Sequence, residues 1–567
     1  MRKRSILLLA LALIMVLSAC GQPPVDNGNK DNDVFDPTQI VRKDWKENEY
    51  AEPVDVTVTR YDPTSVEYGP GESIDNSVWD RAYLEELGIR VKNKWVVEYA
   101  QMATKTNLML SSGDLADIFF VNEEQFAELV ELDMIEDLSK VYLEYVSDEA
   151  KELLLEAGPS AMASSTIDGR LMAIPKTMNW LEIMGAGWIR KDWLDKAGLG
   201  VPTNPEELEN AMLTIAKDNK ATNLLLTKDS LGPADSNFAG NNYIFDIFNS
   251  YPLLWVEKNG KLEWGGIQPE VKDALSFLKR LYDAGALNKE FSSIDNAKGV
   301  EDIANSKVGT LFADFWSGAY YINQQVSLTG ETDNWVAFDI NNSKGTPTKH
   351  ASPVKPEGYY VVRKGYEHPE VLIKFLNMHV QEFYINCTDK DRYLYLVQDE
   401  NNKNPKWNLS VCQPGRSYNN ILNYRNMRAY LETGDEAYWN KISLFGKTNQ
   451  ETAKKFEETG DLKSWQNWFN SGYNPGAASG ITSVNIENGN YQSDAFYGFM
   501  TPTMKDSWGL MQSRQQEAFQ NIVNGGDLAD FDAFVAEWKA LGGDTITDEV
   551  NDWYENYRDL SDNPFIK

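Results

Sequence analysis

Apolar and polar positions along the chain switch repeatedly between a period of two and a period near 3.6. Val54-Asp55-Val56-Thr57-Val58-Thr59 alternates as a half-buried strand does. Residues 77–87 then read as a helix, and 108–113 as the end of another, closed by Gly113. The apolar run 118–121 reads as a buried strand. Asp168-Gly169 predicts the turn of a hairpin. A second apolar run, 183–189, predicts a buried strand that ends in Arg190-Lys191-Asp192. One amphipathic turn follows (Trp193, Leu194, Ala197). Gly198 and Gly200 then stand where a helix C-terminus favours positive φ, and Pro202 keeps the link extended. The next helix has two workable starts. Thr203 with Glu206 spells a capping box, and Asn204 as N-cap puts Pro205 at N1 and Glu207 at N3.

Further along, Ala274, Leu275, Leu278, Leu281 and Tyr282 recur at helical spacing within 271–287. Residues 307–312 predict a strand running into a loop that carries Trp316. Residues 358–362 read as a strand and 369–379 as a capped helix. Residues 386–500 are dense in Tyr, Trp, Asn and Gly, as in surface loops over a site. The end is periodic again: a helix over 528–541 closed by Gly542-Gly543, then a last helix capped by Thr547 with Val550, Trp553, Tyr554 and Tyr557 on one stripe. No tandem repeat occurs. Interleaved β and α blocks argue for an α/β fold with mostly parallel sheets, and 567 residues exceed one ordinary core, so two lobes or more are expected.

The first twenty residues stand apart. Arg2, Lys3 and Arg4 precede an apolar stretch over 6–17, too short to span a bilayer, which closes in Leu17-Ser18-Ala19-Cys20. This reads as a secretory signal, residues 1–19. Residues 20–50 are polar and rich in Pro, Asn and Asp and read as a tether. The formal charge is −31, and cleavage of the signal would remove three cations more. That argues against nucleic acid as a partner, because phosphate binding needs a basic face.

Several stretches resemble one family. WIRKDWLDKAGLGVPTNPEELENAMLT (188–214) is similar to the "RKDWLDKLGL-VPTT-DE" signature of extracellular solute-binding proteins of ABC transporters. The closer likeness is to the long Gram-positive lipoproteins that deliver oligosaccharides. Leu108 to Phe119 resembles the family's "L-SGD-PDI", with Ala116 where Pro is usual. Ile167 to Pro175 resembles "DGK-YAIP", and Lys307 to Trp316 resembles "GKVGM-----W". The C-terminal DFDAFVAEWKALGGDTITDEVNDWY resembles that subgroup's ending, whereas 386–500 match least. LSAC resembles the lipobox of bacterial lipoproteins, which implies cleavage before Cys20 and a diacylglyceryl thioether on its sulfur. The resemblance implies a two-lobed periplasmic-binding-protein-like fold of type II, with a ligand cleft between lobes joined by hinge crossings near 176–181 and 337–342. Residues 51–176 and 341–440 would form the first lobe, and 177–340 and 441–567 the second. The implied function is a monomeric receptor on the outer face of the membrane, anchored at Cys20, that captures an oligosaccharide and delivers it to the permease. A peptide-binding receptor and an extracellular polysaccharide-degrading enzyme are the alternatives.

Recognisable catalytic chemistry is absent from the sequence pattern. The three histidines, His350, His368 and His379, have no partners at metal-motif spacing, and no G-x-S-x-G elbow occurs. Phe445-Gly446-Lys447-Thr448 resembles the end of a phosphate-binding loop, but Lys441 stands where its first glycine must be. No cofactor is expected. Some relatives in the family it resembles carry a calcium ion, but Asp26 to Asp33 lacks the Gly and terminal Glu of a calcium loop. Aromatic surface is abundant, with 17 Trp, 27 Tyr and 23 Phe, and a sugar's C–H face packs well on an indole. Trp180, Trp316, Tyr359 and Trp508 are the candidate platforms. Asp62, Asn122, Asn179 and Asp314 are the polar candidates, because they follow strands, where ligands of open α/β sheets bind. Trp316 could equally close its own lobe's core. Cys387 and Cys412, the thiols left once lipid takes Cys20, are candidates for a disulfide.

Overall fold

The computed structural model describes residues 36–219, 222–233, 242–399 and 403–567. Cys20, the signal and residues 26–33 lie outside them. Fifteen strands are described: β1 Val54–Tyr61, β2 Ile89–Val97, β3 Ile118–Val121, β4 Thr166–Ile167, β5 Arg170–Leu171, β6 Ile174–Pro175, β7 Ala186–Arg190 and β8 Thr222–Leu224, then β9 Trp255–Lys258, β10 Lys261–Trp264, β11 Val308–Ala313, β12 Trp335–Phe338, β13 His350–Ala351, β14 Tyr359–Val362 and β15 Tyr491–Gln492.

Two larger sheets organise the molecule. The first has the order β2-β1-β3-β14-β6 and the second β12-β7-β11-β8. In the first, β1 runs parallel to β2 and β3, whereas β14 is antiparallel to β3 and β6. In the second, β7 is antiparallel to both β11 and β12, and only β8 is parallel to β11. The sheets are thus mixed rather than mostly parallel. The reason lies in connectivity: the chain leaves the first sheet after β6, builds the second, and re-enters the first at β14 from the edge it left, so β14 runs against β3 and β6.

Local chemistry explains several element ends. Ser77 caps the helix Val78–Leu87 in a capping box with Asp80. Asp168 (φ 50°) and Gly169 (φ 76°) form the two-residue turn of the β4–β5 hairpin. Of the two starts offered near 203, Asn204 is the one used: its Oδ1 accepts from the Glu207 N–H at 3.0 Å and the helix Pro205–Asn219 begins at Pro205. Glu207 reaches back to accept from the Thr203 N–H at 2.9 Å. The C-terminal expectation holds in part. Gly542 (φ 107°) breaks the helical run that begins at Asp530, as expected, but the last helix, Asp544–Tyr557, begins three residues before Thr547. Thr547 therefore lies inside a helix, its hydroxyl donating to the Gly543 carbonyl, and caps nothing.

The first sheet is packed by one apolar cluster around Val56, Val58, Trp79, Leu372 and Leu376, and on another side by one around Phe119, Phe126 and Tyr359. The second sheet is buried on both faces, which accounts for its unbroken apolar strands. Along β11, Phe312 enters a cluster with Ile189, Phe338 and Phe519, while Leu311 and Ala313 enter another with Trp188 and Trp335. Core membership departs from the expected lobe limits at two points. Ile421 packs in the second sheet's core, and Phe565, near the C-terminus, packs back into the first. Residues 386–500, expected as surface loops, are largely helical.

The candidate ligand cleft

The strand registers fix where the two sheets offer a site. Tyr359 pairs with Val121 and with Pro175, so one sheet edge carries the ends of β3 and β6 and the start of β14. In the second sheet Ala313 pairs with Ala186 and Phe338 with Gly187, so one edge carries the ends of β11 and β12 and the start of β7. The chain leaves the first edge at Pro175 to enter the second at Ala186, and leaves the second at Phe338 to enter the first at Tyr359. Both edges therefore lie on the side of the crossing segments. A third crossing, absent from the sequence reading, runs beside the first: the Gly415 N–H donates to Thr177 O at 2.7 Å and the Leu181 N–H to Ser417 O at 3.1 Å.

A recess opens at each edge. The first, of about 320 Å³, is lined by Tyr61, Tyr99, Phe120, Asn122, Gln125, Lys176, Glu357 and Gln413, among others. The Tyr61 and Tyr99 rings meet edge to face at 5.3 Å. The Tyr99 hydroxyl donates to Glu357 at 2.8 Å, and Lys176 pairs with the other Glu357 oxygen at 3.0 Å. Burial first, then the Glu357 carboxylate, raises the Tyr61 and Tyr99 phenols, Tyr99 to about 12, so both stay neutral donors. Asn122 lines this recess, as its strand-end position suggested, but its Oδ1 is already engaged in capping the helix Glu123–Glu131.

The second recess, of about 370 Å³, lies past the end of β11. Asp314 caps the helix Phe315–Thr329, which puts Trp316 in the first turn with 41 % of its surface exposed. Trp316 belongs to none of the apolar clusters. Around it stand seven amide side chains: Asn420, Asn423, Asn449, Gln450, Gln466, Asn467 and Asn470, with Phe315, Tyr424, Phe445 and Ser479. The helices that carry them come from the stretch 386–500, expected as surface loops. Glu182, on the first crossing, fixes one of them by accepting from the Asn420 N–H at 2.5 Å and its side-chain amide at 2.8 Å. The Glu182 carboxyl is itself pushed up to about 7, chiefly by burial.

The other candidates fall elsewhere. Trp180 is 2 % exposed in a small core with Ala157, Leu181, Met184 and Val354, at the crossings themselves, because the 3-10 turn Trp180–Glu182 points it inward. Tyr359 is buried, stacked on Phe126 at 4.4 Å. Trp508 packs on Trp255 and Trp264, against the second sheet's core. Neither of these two lines a recess described above, so three of the four aromatic candidates are packing residues. Asp314 is buried: its Oδ1 accepts from the Ser317 N–H at 2.7 Å, and burial pushes its carboxyl to about 7. Asp62 is exposed and Asn179 half-buried, and neither lines either recess. Gly318 sits inside the helix Phe315–Thr329, where an added Cβ would lie 2.2 Å from the Trp188 indole nitrogen. Cys387 and Cys412, the candidate disulfide, are free thiols, each buried among apolar neighbours of the first core. Among the described residues no group of three or more His, Cys, Asp or Glu could hold a metal, and no helix is long and apolar enough to cross a membrane.

Sequence reasoning missed Tyr61, Tyr99, Lys176 and Glu357. Tyr61 could have been found, since it neighbours Asp62 at a strand end. The amides had a compositional mark only.

Similarity to known proteins agrees with this architecture. The chain is 24 % identical over 291 residues to the lipoprotein LipO of Bacillus subtilis, covering 50 % of this chain and 56 % of that protein. It is 30 % identical over 146 residues to the polygalacturonan/rhamnogalacturonan-binding protein YtcQ of the same organism, covering 25 % and 28 %. The match thus spans about half the length of LipO and about a quarter of YtcQ. The fold is shared with an HMO-binding, ABC-transporter-associated solute-binding protein from Bifidobacterium longum infantis, with a TM-score of 0.57 at 14 % identity over 90 % of this chain and 99 % of that one. The profile of the bacterial extracellular solute-binding proteins matches residues 28–379. The chain belongs to the bacterial extracellular solute-binding protein family.

Proposed function

We propose that this chain is the extracellular substrate-binding subunit of an ABC importer, anchored by lipid at Cys20, that captures an oligosaccharide and releases it unreacted to the permease. The observation that carries the reading is the second recess. A half-exposed indole stands beside seven amide side chains at a sheet edge that faces the crossings. A sugar ring has a C–H face suited to an indole and a rim of hydroxyls that amides both donate to and accept from. The printed names of YtcQ and of the HMO-binding protein support a carbohydrate ligand. The crossings support hinge closure of the two sheet-centred bodies around it. Thermal unfolding against parallel panels of oligosaccharides and short peptides tests the reading. A ligand at a hundred times its dissociation constant adds about 2.7 kcal/mol of stability. A melting shift with a peptide and with no oligosaccharide refutes it.

A further inference from the structure

We propose, resting on that reading, that the ligand is an uncharged oligosaccharide and that the amide recess excludes sugar acids. Among the described residues lining this recess none carries a charge: its polar groups are amides and hydroxyls. Gln450 is only 6 % exposed, and its Oε1 has no hydrogen-bond partner; Asn470 Oδ1 is likewise buried and unpartnered. These two carbonyl oxygens can only accept. A sugar hydroxyl has a proton to give them. A carboxylate has none: it can accept from amide N–H groups, but it leaves these two carbonyls unpartnered. It would also leave water without meeting an opposite charge, which is costly for any ion.

The first recess does not make good that lack. Its two cations already have carboxylate partners: Lys176 is held by Glu357 at 3.0 Å, and the buried Arg60 by Asp80 at 2.5 Å. The chain's formal charge of −31 adds a field that repels polyanions at a distance. A hydroxyl-rich, neutral chain is the one carbohydrate class that meets both recesses without a penalty.

The test uses the purified protein. The probes are neutral fructo-, xylo-, galacto- and malto-oligosaccharides of three to five rings, and oligogalacturonates and oligomannuronates of the same lengths. Melting shifts come first and calorimetric titration follows on the hits. The expected result is a neutral oligomer that binds about a hundredfold more tightly than any acidic one, a ratio within reach of one uncompensated buried charge. Gln450→Leu carries the argument to the residue. Removing a buried unpartnered carbonyl should leave the melting temperature equal or higher, while weakening the neutral ligand about tenfold, as for one lost hydrogen bond in a dry site. Acidic oligomers that bind as tightly as neutral ones overturn the inference and leave carbohydrate binding standing. Full affinity in Gln450→Leu overturns the role given to its carbonyl, and the inference with it. A melting shift from neither class overturns the carbohydrate reading itself.

Discussion

Trp316 is where the proposed function is most exposed to test. The indole offers 41 % of its surface to the second recess. A tryptophan side chain presents up to about 250 Å², so about 100 Å² is free to be covered by a sugar ring. At about 25 cal/mol per Å² that contact is worth about 2.5 kcal/mol, and the ordering of ligand and side chain takes back part of it. Trp316→Ala should therefore lose about 2 kcal/mol of binding, roughly thirtyfold in dissociation constant. Trp316→Phe should recover part of the loss, because an aromatic face remains, whereas Trp316→Leu should not. A fully buried tryptophan cut to alanine costs about 3–5 kcal/mol of stability. Trp316 lies outside every apolar cluster, so its removal should cost clearly less than that. The assay is calorimetric titration of the three variants with the best oligosaccharide, beside thermal unfolding of each. Unchanged affinity in Trp316→Ala, or affinity fully kept in Trp316→Leu, refutes the platform.

Trp180→Ala should behave the other way: it empties the small core at the crossings and should lower stability by about 3–5 kcal/mol, read by denaturant unfolding. Glu182, Asp314 and Asp494 are each pushed to about 7, mainly by burial, so the folded protein keeps protons that the unfolded chain releases near pH 4. Stability gained that way is present below about pH 4 and lost as pH rises toward 7. The melting temperature should fall between pH 5 and pH 8, and Glu182→Gln should make that slope shallower; an unchanged slope refutes the assignment. His350 adds to the same trend at higher pH. Burial lowers its affinity for a proton, but Asp339 and Asp246 outweigh this and raise it to about 10, so its contribution is lost only toward that pH. If the proposed anchor is right, Cys20→Ser should move the protein from the membrane fraction into the medium, because it would remove both acyl chains at once. Both remaining cysteines should titrate as free thiols after unfolding without reductant.

Much of this protein is written in short-range pattern. The capped helix at Pro205–Asn219, the Asp168-Gly169 turn, and the strands at 54–61, 118–121 and 308–313 follow from side-chain chemistry within a few residues, so their elements could be read directly. The family likeness could be read for the same reason, since it lies in contiguous stretches. The site could be read only in part. Position after a strand marks Trp180, Trp316 and Trp508 alike as aromatic residues near loops. Which of them faces solvent depends on what the rest of the chain packs against it. Trp180 is covered by Ala157 and Val354, almost two hundred residues apart in sequence, whereas Trp316 joins no apolar cluster and keeps 41 % of its surface exposed. The amides of the second recess sit on helices between 419 and 487 with no motif, and only packing against the second sheet, through Ile421, Trp465 and Phe469, turns them toward one indole. Sheet direction was also beyond the sequence, because strands read alike whichever way the chain enters them. The order of crossings, a property of the whole chain, decided that β14 and β7 run against their neighbours and so put both edges on the side of the crossing segments.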